Sequence, residues 1–284
     1  MLNPSNTLVQ NAYATSSSEV LTDFNVHKHG FKFVNDWKGD ILLDIPIIGR
    51  INVGRTPYGL CGGMTYAALD TFHSQSETPD DKDPPESGSE LRSYIYNRQM
   101  DTFKAQDAFM IRRIISWSIQ DIGKSVWGPG LHALTHEQFK KRIRPEIDKG
   151  NPVPLCLIRA KRSDYLLTSK SLKPEGFTIN HQVLAIGYRR HDPPDGPEHW
   201  DVDIYDNNYP NEVHTLHYHR KFRKQTLRKN SNGMLVEKYD SIGSNVSGSF
   251  RAFFKTPYEP KTPYWVTGVQ AQPSSGVKVE TKGK

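Results

Sequence analysis

The chain has 284 residues, of which 36% are hydrophobic and 24% charged, with a formal charge of +6 and an isoelectric point near 9.1. Its 12 Phe, 13 Tyr and 5 Trp are enough to build a core, while a mean hydropathy of −0.66 and the lack of an apolar run approaching about 20 residues exclude a transmembrane helix. Cys61 and Cys156 are too few for a disulfide framework, and no apolar signal core lies between Met1 and Glu19, so a reduced, cytoplasmic protein without membrane contact is expected.

In chain order, residues 1–22 are rich in Ser, Asn and Thr and read as a flexible arm ahead of a domain spanning 23–269. Residues 30–35 read as a strand, and Ile41 to Pro46 leads toward the cysteine. The segment from Tyr58 to Phe72 then sets Cys61 between Gly59 and the pair Gly62-Gly63. Met64, Ala67, Ala68, Thr71 and Phe72 follow at helical spacing, which predicts an amphipathic helix with Cys61 at its first turn. Unpaired N–H groups and the helix dipole favour an anion there, and the glycines allow close approach of a substrate. A small buried structural cysteine fits the same segment.

Residues 73–90 are acidic and proline-rich, as expected of a surface insertion. Residues 91–122 read as helical with one break, and Thr135 to Gln138 as a capping box opening a helix that Gly150 closes. From Val153 the pattern changes to short strands, at 153–159, 181–189, 200–206, 213–219, 234–240 and 250–256. Cys156 falls in the first of these and is expected to be inert core. Residues 270–284 read as a disordered tail. Helices followed by an antiparallel sheet make an α+β fold.

His181 stands at the mouth of a strand that is apolar on both faces, where packing would fix an imidazole as a base. In Asp201–Pro210, strand alternation sets Asp206 on the row of Val202 and Ile204, where a carboxylate needs a partner. Asp201 and Asp203 fall on the other, solvated row. Asp206-Asn207-Asn208 also suits a plain turn. Together Cys61, His181 and Asp206 supply a nucleophile, a base and an orienting group.

These three segments, with the His-x-Val-x-x-x-Gly-Tyr strand from His181 to Tyr188, resemble the papain-like cysteine peptidase superfamily, especially its papain and bacteriocin-processing groups. The resemblance implies a helical part headed by the cysteine helix, packed on an antiparallel sheet that carries His181 and Asp206. It implies Cys61 as nucleophile, His181 as base and then acid, and Asp206 (or Asn207 or Asn208) as orienter. Where those peptidases place an oxyanion-binding glutamine, this chain has Arg55, with Asn52 nearby. The function expected is hydrolysis of a peptide or amide through a thioester. An acyl transferase of the same fold and an inactive binding module are the alternatives.

No cofactor and no metal are expected. His214, His217 and His219 crowd one strand without a cysteine or carboxylate pair at standard ligand spacing. The basic run 219–229 reads as a solvated face rather than a nucleic-acid site.

Overall fold

A computed structural model of the protein describes residues 19–45, 49–52, 59–104, 109–120, 130–168, 171–172, 175–191, 199–219, 242–244 and 248–268. In chain order these form β1 (Glu19–Leu21), α1 (Val26–His29), β2 (Leu42–Ile45), β3 (Gly49–Asn52), α2 (Cys61–His73), α3 (Glu90–Lys104), α4 (Phe109–Ile119) and α5 (Leu131–Gln138). A π turn (Phe139–Ile143) leads into α6 (Arg144–Ile147), followed by β4 (Val153–Ile158), α7 (Arg162–Tyr165), β5 (Leu166–Thr168), β6 (Ser171–Leu172) and α8 (Glu175–Thr178). The strands β7 (His181–His191), β8 (His199–Tyr205), β9 (Val213–His219), β10 (Ile242–Ser244), β11 (Gly248–Phe250) and β12 (Ala252–Lys255) come next, and then α9 (Tyr264–Thr267).

The fold is mixed α and β. Its main sheet is antiparallel in the order β11-β10-β9-β8-β7-β4-β12, with β1 lying beside β7. β7 is long enough to hold two partners on one edge. β4 pairs with its first residues and β1 with Gly187 to Arg189. The expected arm over 1–22 therefore ends early, since Glu19–Leu21 is strand and Thr22 donates from its N–H to the carbonyl of Ile186.

β4 is buried along its whole length, and alternation divides its side chains between two cores. Val153, Leu155 and Leu157 meet Phe139, Ile143 and Ile147 from the α5–α6 layer, while Cys156 and Ile158 join the core of α2, α3 and α4. The expected capping box is not one. Helix α5 already starts at Leu131 behind Gly130, and Thr135 is buried inside it. The π turn has a local cause: Pro145 lacks an N–H and its ring crowds the preceding turn, so the N–H of Arg144 reaches back five residues to Phe139. Gly150, at φ +84°, ends the segment.

Helix α2 departs from the amphipathic expectation, because every residue from Cys61 to Thr71 is buried. The cause is close packing on two sides. A Cβ at Gly63 would stand 2.1 Å from the carbonyl oxygen of Ile95 on α3, and one at Gly62 would stand 2.5 Å from Nε2 of Gln182 on β7. At Gly63, where the neighbour is backbone, only glycine permits the approach.

The expected strand over 30–35 is instead irregular chain carrying Phe31 and Phe33 into the core. Its N–H at Phe31 donates to Oη of Tyr205 rather than to a neighbouring strand. The segment 73–90 is irregular as expected, yet Thr78 is buried and donates to the carbonyl of Gly30. Strand 234–240, the tail 270–284 and residues 1–18 lie outside the described residues, as does the basic run beyond His219. No helix among the described residues is long and apolar enough to cross a membrane.

Burying α2 also buries Asp70, which collects partners from three parts of the chain. Arg98 on α3 pairs with it at 2.7 Å, Tyr94 and Tyr258 donate their hydroxyls, and the N–H of Lys261 donates at 2.9 Å. Burial pushes the Asp70 carboxyl up, whereas at Arg98 the carboxylates of Asp70 and Asp101 outweigh the same desolvation and hold its charge. Arg98→Met should therefore leave a buried carboxylate uncompensated and lower unfolding stability by about 3–5 kcal/mol, measured by urea denaturation. A loss below about 1 kcal/mol would mean that solvent reaches Asp70.

Candidate active site

Three elements bring the sequence-derived residues together. Cys61 is the first residue of α2, His181 the first of β7, and Asp206 follows the last residue of β8. α2 lies on β7, with Ala68 and Leu69 packed against Leu184, Ile186 and Tyr205, and β7 pairs with β8. These contacts bring the three chain ends to one point.

The three side chains form a row of contacts there. Nε2 of His181 lies 2.7 Å from Oδ1 of Asp206, and both side chains are fully buried. The same carboxylate oxygen accepts the N–H of Asn208 at 3.0 Å, which fixes its orientation. The imidazole also interacts with the Cys61 thiol. Burial alone would strip the proton from His181. The charge and hydrogen bond of Asp206, reinforced by Cys61, outweigh it and carry the imidazole up to about 9. The imidazole thus sits between a thiol and a carboxylate that favours its protonated form.

Asn207 has another task than orienting the ring. Its Nδ2 donates to the carbonyls of Cys61 and Gln182, each at 3.0 Å, and to Oγ1 of Thr65 at 3.2 Å. It ties the first turn of α2 to the start of β7. On the other side Asn35 accepts the N–H of Leu60 at 2.9 Å, while its own N–H donates to the carbonyl of Asn207. The residue before the cysteine and the residue after the aspartate are thus held by one side chain and its backbone.

Cys61 and His181 open into a pocket of about 470 Å³, counted out to its solvent-filled mouth. Leu43, Ile45, Ile51, Phe103 and Ile114 form apolar walls, and Cys156 lies at the same pocket. Cys156 is core, as expected, and burial pushes its thiol strongly up.

Asn52, one of the two expected oxyanion donors, is not brought to the site. Asn52 stands exposed on the β2–β3 hairpin, where its amide donates to Asp40 and accepts the N–H of Ile41, and it does not line the pocket. Arg55 lies outside the described residues. Two glutamines that the sequence reading passed over do line the pocket: Gln182, next to His181, and Gln99 on α3. Oε1 of Gln99 accepts the N–H of Gly63 at 2.9 Å, which anchors it beside the first turn of α2. A signal for Gln99 did exist, since it interrupts the apolar row Ile95-Gln99-Phe103 at i, i+4 and i+8.

No protein-family model, curated protein or solved structure matches the chain.

The His181–Asp206 pair has a signed consequence for stability. A histidine raised from 6.5 to about 9 by folding contributes stability that is complete below pH 6.5 and lost as pH climbs through about 9. The stability margin of wild type over Asp206→Asn should therefore shrink as pH rises from 6.5 through about 9, read from urea denaturation at several pH values. A margin independent of pH across that window would rule out a charged pair.

Proposed function

We propose that the protein is a cysteine hydrolase of peptide or amide bonds, a divergent relative of the papain-like peptidases. The alignment of one buried imidazole between the Asp206 carboxylate and the Cys61 thiol carries this reading. The triad order along the chain and the two-part arrangement of a cysteine helix against a histidine-bearing sheet support it.

In this reading the Cys61 thiolate attacks the substrate carbonyl carbon, and the carbonyl oxygen takes up the negative charge. The N–H at the start of α2 and the Gln99 amide, whose Nε2 also donates to Oγ1 of Thr102 at 3.3 Å, are the donors assigned to that oxygen. The tetrahedral centre collapses as imidazolium His181 gives its proton to the leaving amine, which leaves a thioester on Cys61. Neutral His181 then takes a proton from water, whose oxygen attacks the thioester. The acid departs, and the sulfur regains the proton balance with which it began. Asp206 keeps its charge and holds the ring throughout. The apolar walls suit an uncharged, hydrophobic side chain on the acyl side of the bond.

The test is covalent labelling with a peptide-like electrophile, followed as rate against pH. Wild type should react readily at pH 6–7 and prefer an apolar over an acidic side chain at the reacting residue. Cys61→Ala should abolish labelling and turnover, while Cys156→Ser should change either little. His181→Ala should remove both the reactivity in mild acid and hydrolysis, and Gln99→Ala should lower kcat about a hundredfold with little change in KM. Wild-type and His181→Ala profiles that coincide and rise only in the ordinary thiol range would leave a papain-like binding module in place of an enzyme. Rapid acylation with release only to added amines would make it an acyl transferase.

A further inference from the structure

The sequence sets His217 apart from any carboxylate, but antiparallel pairing places it directly opposite Asp201, with His199 two residues before that aspartate on the same strand. Residues 199 and 201 share one face of β8 by alternation, and 217 joins them across the ladder. This face is not the solvated row that the sequence suggests, since His199 and Asp201 are both buried. The His217 side chain is 34% exposed and gives the group a way to solvent.

The geometry points to a divalent-metal site of the zinc class at His199, Asp201 and His217. The candidate ligand atoms all lie within 4.8 Å of one another. Nε2 of His199 and Oδ1 of Asp201 are 3.4 Å apart, close to the edge of about 3.3 Å expected between two ligands of a tetrahedral zinc ion. Nδ1 of His217 lies at 2.6 Å from the same oxygen, so that pair opens by under about 1 Å to admit the ion. The two imidazole rings stand nearly perpendicular, at 86°, with both reaching toward the carboxylate.

The charges around the cluster favour a cation. Arg189, the backbone partner of Asp201 on β7, directs its guanidinium to Asp203, Thr215 and Glu19. Asp203 is therefore neutralised by Arg189, and Asp201 has two imidazoles beside it. Two nitrogen ligands and one carboxylate suit Zn²⁺ over Mg²⁺ or Ca²⁺, which prefer oxygen sets, and leave one position for water. The site lies five residues along β8 from Asp206, or about 16 Å, so it is separate from the Cys61 pocket. Bound there, the ion would cross-link β8 to β9.

The test uses the full chain stripped with a chelator and titrated with Zn²⁺ against a competing indicator. It is run in wild type and in Cys61→Ala, because a thiol beside an imidazole also takes up zinc. Both should bind one equivalent at these residues. Co²⁺ bound to Cys61→Ala should give a visible tetrahedral spectrum without sulfur-to-cobalt charge transfer. His199→Ala and Asp201→Asn should each weaken binding by more than about a hundredfold. His217→Gln, at the most exposed of the three positions, should do the same while keeping the circular dichroism of wild type. The proposal is overturned if Cys61→Ala takes up no stoichiometric Zn²⁺, or if a folded His217→Gln binds as tightly as its parent.

Discussion

Everything at the candidate active site depends on how closely α2 approaches its neighbours. At Gly63 the helix backbone runs so near the carbonyl of Ile95 that a methyl group has no room, and at Gly62 the amide of Gln182 fills the same kind of space. A sequence with alanine at these positions would have the better helix propensity, by about 1 kcal/mol per residue, and the wrong distance. Contact wins over propensity here. The two glycines that flatter a nucleophile's surroundings in a first reading are packing residues as well, and they set the depth at which the sulfur lies.

Close approach brings polar groups into the interior, and several are met by partners from far along the chain. Asn207 holds the first turn of α2 and the start of β7, Asn35 holds Leu60, and Arg98 meets Asp70. A bond of this kind adds only about 1 kcal/mol net, whereas an orphaned group costs more, so these contacts act by penalising misplacement. They convert a loose apposition of helix and sheet into a fixed one. The buried His181–Asp206 pair belongs to the same class, with the added property that its charge is adjustable by pH.

Much of this arrangement was legible in the chain itself, and the reason is locality. The glycine-flanked cysteine followed by helical periodicity, the apolar run behind His181 and the row ending at Asp206 are patterns within about ten residues, and each lies where its pattern places it. The residues that escaped notice depend on register or tertiary contact. Gly30–Asn35 has a strand's composition but gives its N–H at Phe31 to a tyrosine hydroxyl. Asp203 alternates as a solvated residue should, yet Arg189 reaches across and encloses it. The partnership of His217 with Asp201 exists only once β8 and β9 are in register. Thr135-x-x-Gln138 mimics a helix start because a capping box is a short and common string, and the true start is fixed by Gly130 more than one turn earlier.

The segment after β12 has a consequence for how the protein comes into being. Tyr66 donates its hydroxyl to the carbonyl of Pro257, Arg98 donates to that of Glu259 at 2.8 Å, and Tyr258 and Lys261 complete the shell around Asp70. The helix that carries the cysteine is thus finished by residues about 190 positions later in synthesis. While the ribosome is still making β7 and β8, α2 has its thiol but lacks two of the donors that make burial of Asp70 tolerable. The packing around Asp70, and with it the full seating of the helix, is complete only once translation has passed Lys261.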